Sequence, residues 1–266
     1  MDLASIMGIA LALGAILGGQ VLEGCHISSI AQPTAALIVI GGTIGACTLQ
    51  FPGHALKQAL KDLKTVFKPP ANDNASVVKV IVGLASKARR EGLVAIEKEA
   101  ASITDPFMRR AFEMAIDGTE VKSLRGALEM EIAHTEEEGE TSAKVLEAAG
   151  GYAPTVGIIG AVMGLIHVME NLNDPSKLGG GIAVAFVATV YGVGFANIVC
   201  LPMAGKIKTR HREAIVRMEV VLEGVCAVAD GEHPQLIERK LAVYDQSRHA
   251  GHAPEAAAAA AGLSPA

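Results

Sequence analysis

Four long windows of this sequence contain no Asp, Glu, Lys or Arg: Leu3 to Leu22, Gly24 to Leu56, Ala148 to Met169, and Leu178 to Gly205. Charge missing in so few, such long blocks excludes an ordinary soluble domain, whose apolar residues are spread along the chain. Each window holds the roughly 20 apolar residues needed to cross about 30 Å of hydrocarbon. Half of the 266 residues are hydrophobic and none is Trp. The prediction is an all-α, polytopic membrane protein with four transmembrane helices and a helical cytoplasmic domain. The first window lacks a basic leader and a small-residue cleavage motif, and a second span follows it, so it reads as a retained helix rather than a signal peptide.

Other absences remove whole classes of function. There is no nucleophile motif, no metal-ligand cluster and no phosphate-binding glycine loop, so an enzyme, a metal site and a cofactor are not expected. The run Gly179-Gly180-Gly181 precedes a span on the side where no nucleotide is found. Cysteine is scarce: Cys25, Cys47, Cys200 and Cys226 are widely spaced with no CxxC, which predicts no disulfide and no metal. His249 and His252 stand three apart, in a tail expected to be disordered. A net charge of −5 does not suggest a nucleic-acid partner.

The charges that are present give orientation. Of 23 Lys and Arg, 14 lie between Lys57 and Lys144 and 8 between Lys206 and Arg248, with Lys177 the only other. The connectors Glu23–Gln32 and Glu170–Lys177 hold almost none. Positive charge stays inside. The middle segment, the tail and both termini are therefore expected in the cytoplasm, with the protein in the inner membrane.

Taken in order, residues 1–56 read as a transmembrane hairpin with Gly8, Gly14, Gly18 and Gly19 in span one and Gly41, Gly42 and Gly45 in span two. These glycines permit close helix approach, or merely reflect the usual abundance of Gly in membrane helices. Residues 57–150 read as a helical cytoplasmic domain. It opens with an amphipathic helix, Leu56–Phe67, whose apolar face is Leu56, Leu60, Leu63 and Phe67 and whose lysines suit anionic lipid. Pro69 to Asn74 is a linker. Val77, Val80, Ile81 and Leu84 then mark a helix that Gly92 ends, and Leu93 to Ala101 restarts. Asp105-Pro106 signals an N-cap and N1 proline. A final helix from Val121 through Glu147 joins span three, and Glu136-Glu137-Glu138 is read as a solvated face. Residues 151–204 form the second hairpin. Residues 205–266 are a helix through Val225, a break at Gly231–Pro234 and an Ala-rich tail with no assigned role.

A protein that moves ions across a bilayer keeps an ionisable group there. Here the spans offer hydroxyls only: Thr43, Thr155, Thr189 and Tyr191. His167 lies near an outer end and reads as interfacial. Hydroxyls solvate a path but do not carry a proton at physiological pH, so a conducting protein of this design needs a partner's carboxylate.

Three segments carry a family resemblance that covers roughly residues 1 to 230. Tyr152 to Leu165 reads Tyr-Ala-Pro-Thr-Val-Gly-Ile-Ile-Gly-Ala-Val-Met-Gly-Leu. Ala183 to Asn197 reads Ala-Val-Ala-Phe-Val-Ala-Thr-Val-Tyr-Gly-Val-Gly-Phe-Ala-Asn. Ser86 to Glu97 reads Ser-Lys-Ala-Arg-Arg-Glu-Gly-Leu-Val-Ala-Ile-Glu. With a two-plus-two arrangement of spans, they closely resemble the flagellar stator subunits of the MotA/PomA family. The resemblance implies five copies around two copies of a MotB-type single-span subunit that carries the ion-binding Asp. It implies that Thr155 and Thr189 face that Asp, that Pro154 and Pro202 couple conformation, and that Arg89 and Glu97 engage the rotor protein FliG. Arg90, beside Arg89, leaves that assignment open by one position.

Each residue also has a plainer reading. Pro202 can end span four and Pro154 can mark a helix start. Thr155 and Thr189 can bond their own i−4 carbonyls. Arg89 and Glu97 can be solvated charges. Two other functions compete: an ExbB- or TolQ-type energiser, which resembles the same superfamily but has three spans, and a secondary transporter, which keeps charged or broken-helix sites and internal repeats absent here. On the coupling ion, Ala188 stands where sodium-driven relatives of the resembled family tend to carry a second Thr, so H⁺ is expected.

Overall fold

The computed structural model describes residues 3–24, 26–67, 74–173 and 175–250. Cys25, most of the expected linker, and the tail from 251 lie outside them. The described residues contain helices and turns and no strand.

Helix α1 spans Leu3–Leu22 and α2 spans Pro33–Gln50, with a π turn at Leu37–Gly41. After Pro52, α3 covers Gly53–Val66 and α4 covers Asn74–Glu91. A 3₁₀ turn, Leu93–Ile96, leads into α5 (Glu97–Ala101), and α6 is Pro106–Ile116. Helix α7 runs unbroken for 50 residues, Val121–Glu170. Helix α8 begins with Pro175–Gly194, passes through a π turn at Phe195–Cys200 and continues as Leu201–Ala229. Helix α9 is Pro234–Ala250. The helices α1 and α2 and the apolar parts of α7 and α8 are long and apolar enough to cross a membrane.

Local chemistry sets these boundaries. The Asp105 carboxylate accepts from the Phe107 and Met108 amides at 2.9 and 3.2 Å, capping α6 behind its N1 proline. Gly92, at φ +91°, takes the left-handed conformation that stops α4. The described residues of 1–70 and 137–211 form one compact unit, and those of 71–136 and 212–266 form another. Helices α7 and α8 contribute to both.

The second unit has the larger apolar core. Phe112, Ile81, Ile96, Leu124, Leu128, Val221, Val225, Ile237 and Leu241 are all essentially buried in it. Each such side chain contributes about 1.5–3 kcal/mol on burial. Arg125 clasps Glu223 through two bonds of 2.6 and 3.1 Å. The expected solvated run Glu136 to Glu138 is exposed.

In the first unit, α3 packs differently from the sequence expectation. Its buried stripe is Ala55, Ala59, Asp62 and Val66, while Leu60 stays 62% exposed. Small side chains let the helix approach its neighbours closely, and of the expected face Leu56, Leu63 and Phe67 are partly buried beside this stripe, Leu56 and Phe67 against core clusters. Asp62 is the buried charge of this stripe. Gln58 donates to it at 3.3 Å and His211 Nε2 lies 3.3 Å away. The His211 ring sits over Gly139, where any Cβ would overlap it.

Candidate functional site

The candidate site is built on a seam between the spans of α7 and α8. Gly157, Gly160 and Gly164 recur on α7 at helical spacing and meet Gly181, Ala185, Ala188 and Gly192 of α8. A Cβ at Gly164 would stand 2.8 Å from both the Gly181 carbonyl oxygen and the Ala185 nitrogen. One at Gly157 would stand 2.9 Å from the Ala188 carbonyl oxygen. Backbones in contact replace side chains, the way membrane helices gain van der Waals contact without a hydrophobic driving force. The sequence signal for this seam was the small-residue spacing 157/160/164 and 181/185/188/192. The glycines of α1 behave otherwise: Gly8, Gly14, Gly18 and Gly19 have no neighbour within 4 Å of a built Cβ. Of the α2 glycines, Gly42 is the packed one, against Val156.

Pro154 lies inside α7, half-buried, three residues before Gly157 of the seam. It does not mark a helix start. Its ring removes the amide that would bond the Gly150 carbonyl. Next to it, the exposed Thr155 donates its hydroxyl to the Tyr152 carbonyl at 2.8 Å, an i−3 bond. Across the seam, the half-buried Thr189 donates to the Ala185 carbonyl at 3.3 Å. Both hydroxyl protons are thus held by the backbone, which leaves the oxygens to accept. Thr43 differs: its hydroxyl is buried and has no hydrogen-bond partner.

The helix does not stop at Pro202. Pro202 is exposed, and α8 continues through it to Ala229. The π turn at Phe195–Cys200 explains how. Pro202 cannot bond the Ile198 carbonyl, and Ile198 already lies in a widened turn where i−4 pairing has been given up.

Tyr191, read from sequence only as one more hydroxyl, is a tertiary tie. Its hydroxyl donates to the Ile30 carbonyl at 2.6 Å and accepts from the Gln32 amide at 3.4 Å. It fixes the connector ahead of α2, whose N-cap Gln32 makes no side-chain cap. A spacing pattern carries no trace of such a bond across 161 residues. His167 is exposed and lines a cavity of about 430 Å³ with Gln32, Met163 and Gly181.

Ala188 is fully buried, facing Gly160, with Ala35, Val39 and Val187 in the same cluster. It contributes packing, not exposed surface.

Arg89, Arg90 and Glu97 belong to the other unit and are all exposed. Arg89 donates to the Gly231 carbonyl at 3.2 Å, and Arg90 to the Ser86 carbonyl of its own helix at 3.3 Å. Glu97 opens α5, where a carboxylate meets the positive helix end. Lys87 pairs with Glu99 at 2.5 Å instead of with Glu97. Among the described residues no group of three or more His, Cys, Asp or Glu could hold a metal.

An all-helical chain with four helices long and apolar enough to cross a membrane, two of them joined along a glycine seam that reaches Pro154, defines a polytopic α-helical membrane protein. Comparison with known proteins narrows the class. Residues 6–92 match the motility protein A N-terminal family and residues 99–220 the MotA/TolQ/ExbB proton channel family. Motility protein A of Bacillus subtilis (strain 168) is 36% identical over 247 residues, which cover 92% of this chain and 91% of that protein. The C. jejuni MotAB structure aligns with a TM-score of 0.87 at 30% identity, covering 92% of this chain and 96% of that one. The flagellar MotAB stator complex from Bacillus subtilis aligns at 0.84 and 34%, covering 93% and 98%. The chain belongs to the motility protein A branch of the MotA/TolQ/ExbB proton channel family, and is a membrane protein of the flagellar stator kind.

Proposed function

We propose that the chain is the multi-span subunit of a proton-driven flagellar stator. Five copies surround two copies of a MotB-type single-span subunit in the inner membrane, with the helical unit and both termini in the cytoplasm. The partner supplies the ion-binding Asp. Thr155 and Thr189 offer it hydroxyl oxygens, Pro154 and Pro202 pass its protonation state on as a change of helix shape, and Arg89 or Arg90 acts with Glu97 on the rotor protein FliG. The domain division follows: two hairpins, 1–56 and 151–204, in the membrane, with 57–150 and 205–266 on the inner side.

One observation carries this reading. The charge-free windows hold no Asp, Glu, Lys or Arg, yet α7 carries Thr155 next to Pro154, and α8 carries Thr189 three residues before Gly192, whose backbone meets Pro154. Hydroxyls without a carboxylate support a partner that brings the charge carrier. The solved relatives are MotAB structures, which supports a partner of that kind. The clustering of 22 of 23 cations in two segments supports the orientation. A gradient delivers about 2.3 kcal/mol per charge per 100 mV, so many ions pass per revolution.

Ala188 supports H⁺ over Na⁺. A desolvated Na⁺ needs several oxygen ligands, and at 188 the seam is closed around a methyl group. A proton needs one carboxylate and a hydrogen-bonded route.

The test is ion flux in proteoliposomes. The chain alone should show none above background, and co-reconstitution with the partner should produce it. Robust flux without a partner would overturn the reading. Swimming speed should be independent of external Na⁺ at fixed pH and abolished by a protonophore.

A further inference from the structure

Thr43 breaks a pattern. Thr48, Thr155 and Thr189 each give their hydroxyl proton to a carbonyl three or four residues back, at 2.8, 2.8 and 3.3 Å. Thr43 is 1% exposed, and its hydroxyl has no hydrogen-bond partner. Its neighbours on α2 account for the burial. Val39, one turn before it, packs with Val187 and Ala188 of α8. Cys47, one turn after it, packs with Ala149 of α7 and Cys200 of α8. Gly42 rests on Val156 of α7.

The acceptor that the other threonines use is displaced here. Four residues before Thr43 is Val39, inside the π turn Leu37–Gly41, and the Gly42 amide bonds the carbonyls of both Ile38 and Val39. A π turn holds more residues than an α turn, and such turns are frequent at functional sites. Winding this one back to α brings the Val39 carbonyl to the Thr43 hydroxyl, in the pattern of Thr189 on Ala185. It also adds about 1.5 Å, one residue's rise, between the two halves of α2. A buried hydroxyl left unpaired is costly, so the hydroxyl disfavours the π form and favours the α form. The N-terminal end of α2 is already tied to α8. The Tyr191 hydroxyl holds the Ile30 carbonyl and the Gln32 amide, and Tyr191 lies two residues beyond Thr189. A shift of α8 at Thr189 therefore pulls on the connector ahead of α2, and the π turn is the slack in that line.

We propose that the π turn of α2 is a two-state joint and that Thr43 is its latch, unpaired in the state seen here and bonded to the Val39 carbonyl in the other. The proposal rests on the stator reading above and adds α2, through Tyr191, to the coupling path. Thr43 is a positioning residue in it and touches no ion.

The test uses the full chain assembled with its MotB-type partner. Amide hydrogen exchange over residues 37–47 should differ between complexes whose partner keeps its ion-binding Asp and complexes with that Asp replaced by Asn, a fixed mimic of the protonated state. Thr43→Val keeps the shape and removes the donor. It should raise the thermal midpoint by about 2–6 °C, remove the exchange difference and slow swimming severalfold at unchanged membrane level. Thr43→Ser should restore the swimming and the exchange difference. Thr43→Ala, which drops the hydroxyl without adding bulk, should slow swimming as Thr43→Val does. A midpoint that Thr43→Val leaves unchanged or lowers would mean that the hydroxyl is already satisfied, and overturns the proposal. So does an exchange difference that survives in Thr43→Val, or normal swimming of both the Val and the Ala variants. The stator reading fails separately, by absence of ion flux with the partner present, and the midpoint result stands either way.

Discussion

Gly192 and Pro154 meet backbone to backbone across the hairpin. A Cβ on Gly192 would come 3.2 Å from the Pro154 Cα and 2.5 Å from the Ala153 carbonyl oxygen. The proline that interrupts the α7 hydrogen-bond ladder is therefore held directly by α8, and a change of shape at one is felt at the other. Gly192→Ala is expected to force the helices apart at a cost of about 1–3 kcal/mol, the range for overpacking. Gly194→Ala, two residues on with nothing within 4 Å of the built Cβ, is the control and should be neutral. Thermal unfolding of the purified proteins decides: equal midpoints for the two variants would mean the seam is not tight.

Pro154→Ala restores an amide beneath the Gly150 carbonyl and adds no bulk. It is expected to leave membrane level and assembly unchanged and to lower motor speed severely. Tethered-cell rotation beside a protein blot separates the two quantities. Normal rotation would remove Pro154 from the coupling.

The exposed charges should act through the rotor, not the fold. Charge reversal of Arg90 or Glu97 is expected to change stability by less than about 1 kcal/mol. Arg89→Glu also loses the bond to Gly231 and should cost about 1 kcal/mol more. All three should reduce stator recruitment, measured by counting fluorescent stators at motors, and a compensating reversal on the rotor should recover part of the loss. Disappearance of Arg90→Glu from the membrane would show a folding role instead.

Asp62 gives α3 a pH-dependent hold. Burial pushes its carboxyl up, but hydrogen bonds from His211 and Gln58, with Ser142 alongside, outweigh burial and keep it below its ordinary value of 3.8. A carboxyl depressed in the fold stabilises it above that ordinary value, and the contribution fades as pH falls below it. Unfolding midpoints should therefore drop on the acid side of about pH 4. The drop should be shallower in Asp62→Asn, which is also expected to be less stable at neutral pH by about 1–3 kcal/mol. Parallel pH curves for the two proteins would exclude Asp62 as the source.

The membrane class, the four spans, the caps at Asp105 and Gly92 and the family were all legible in the linear chain. Each rests on hydropathy blocks, local hydrogen bonding or motif order, and such signals act within a few turns of helix. The unbroken α7 was half legible, since a helix joining span three was expected but not that Pro154 would sit inside it. The packing was not legible. Small-residue spacing on α7 and α8 signalled a seam, but which row of α3 is buried, and that Tyr191 reaches Ile30, depend on helices far apart in sequence, where periodicity has no reach. The continuation of α8 beyond Pro202 was legible in the expected helix through Val225, but the π turn ahead of the proline was not. Composition and local pattern determined what kind of protein this is. Tertiary packing decided which of its small and polar residues meet, because close approach between distant helices is a property of surfaces and not of spacing along one chain.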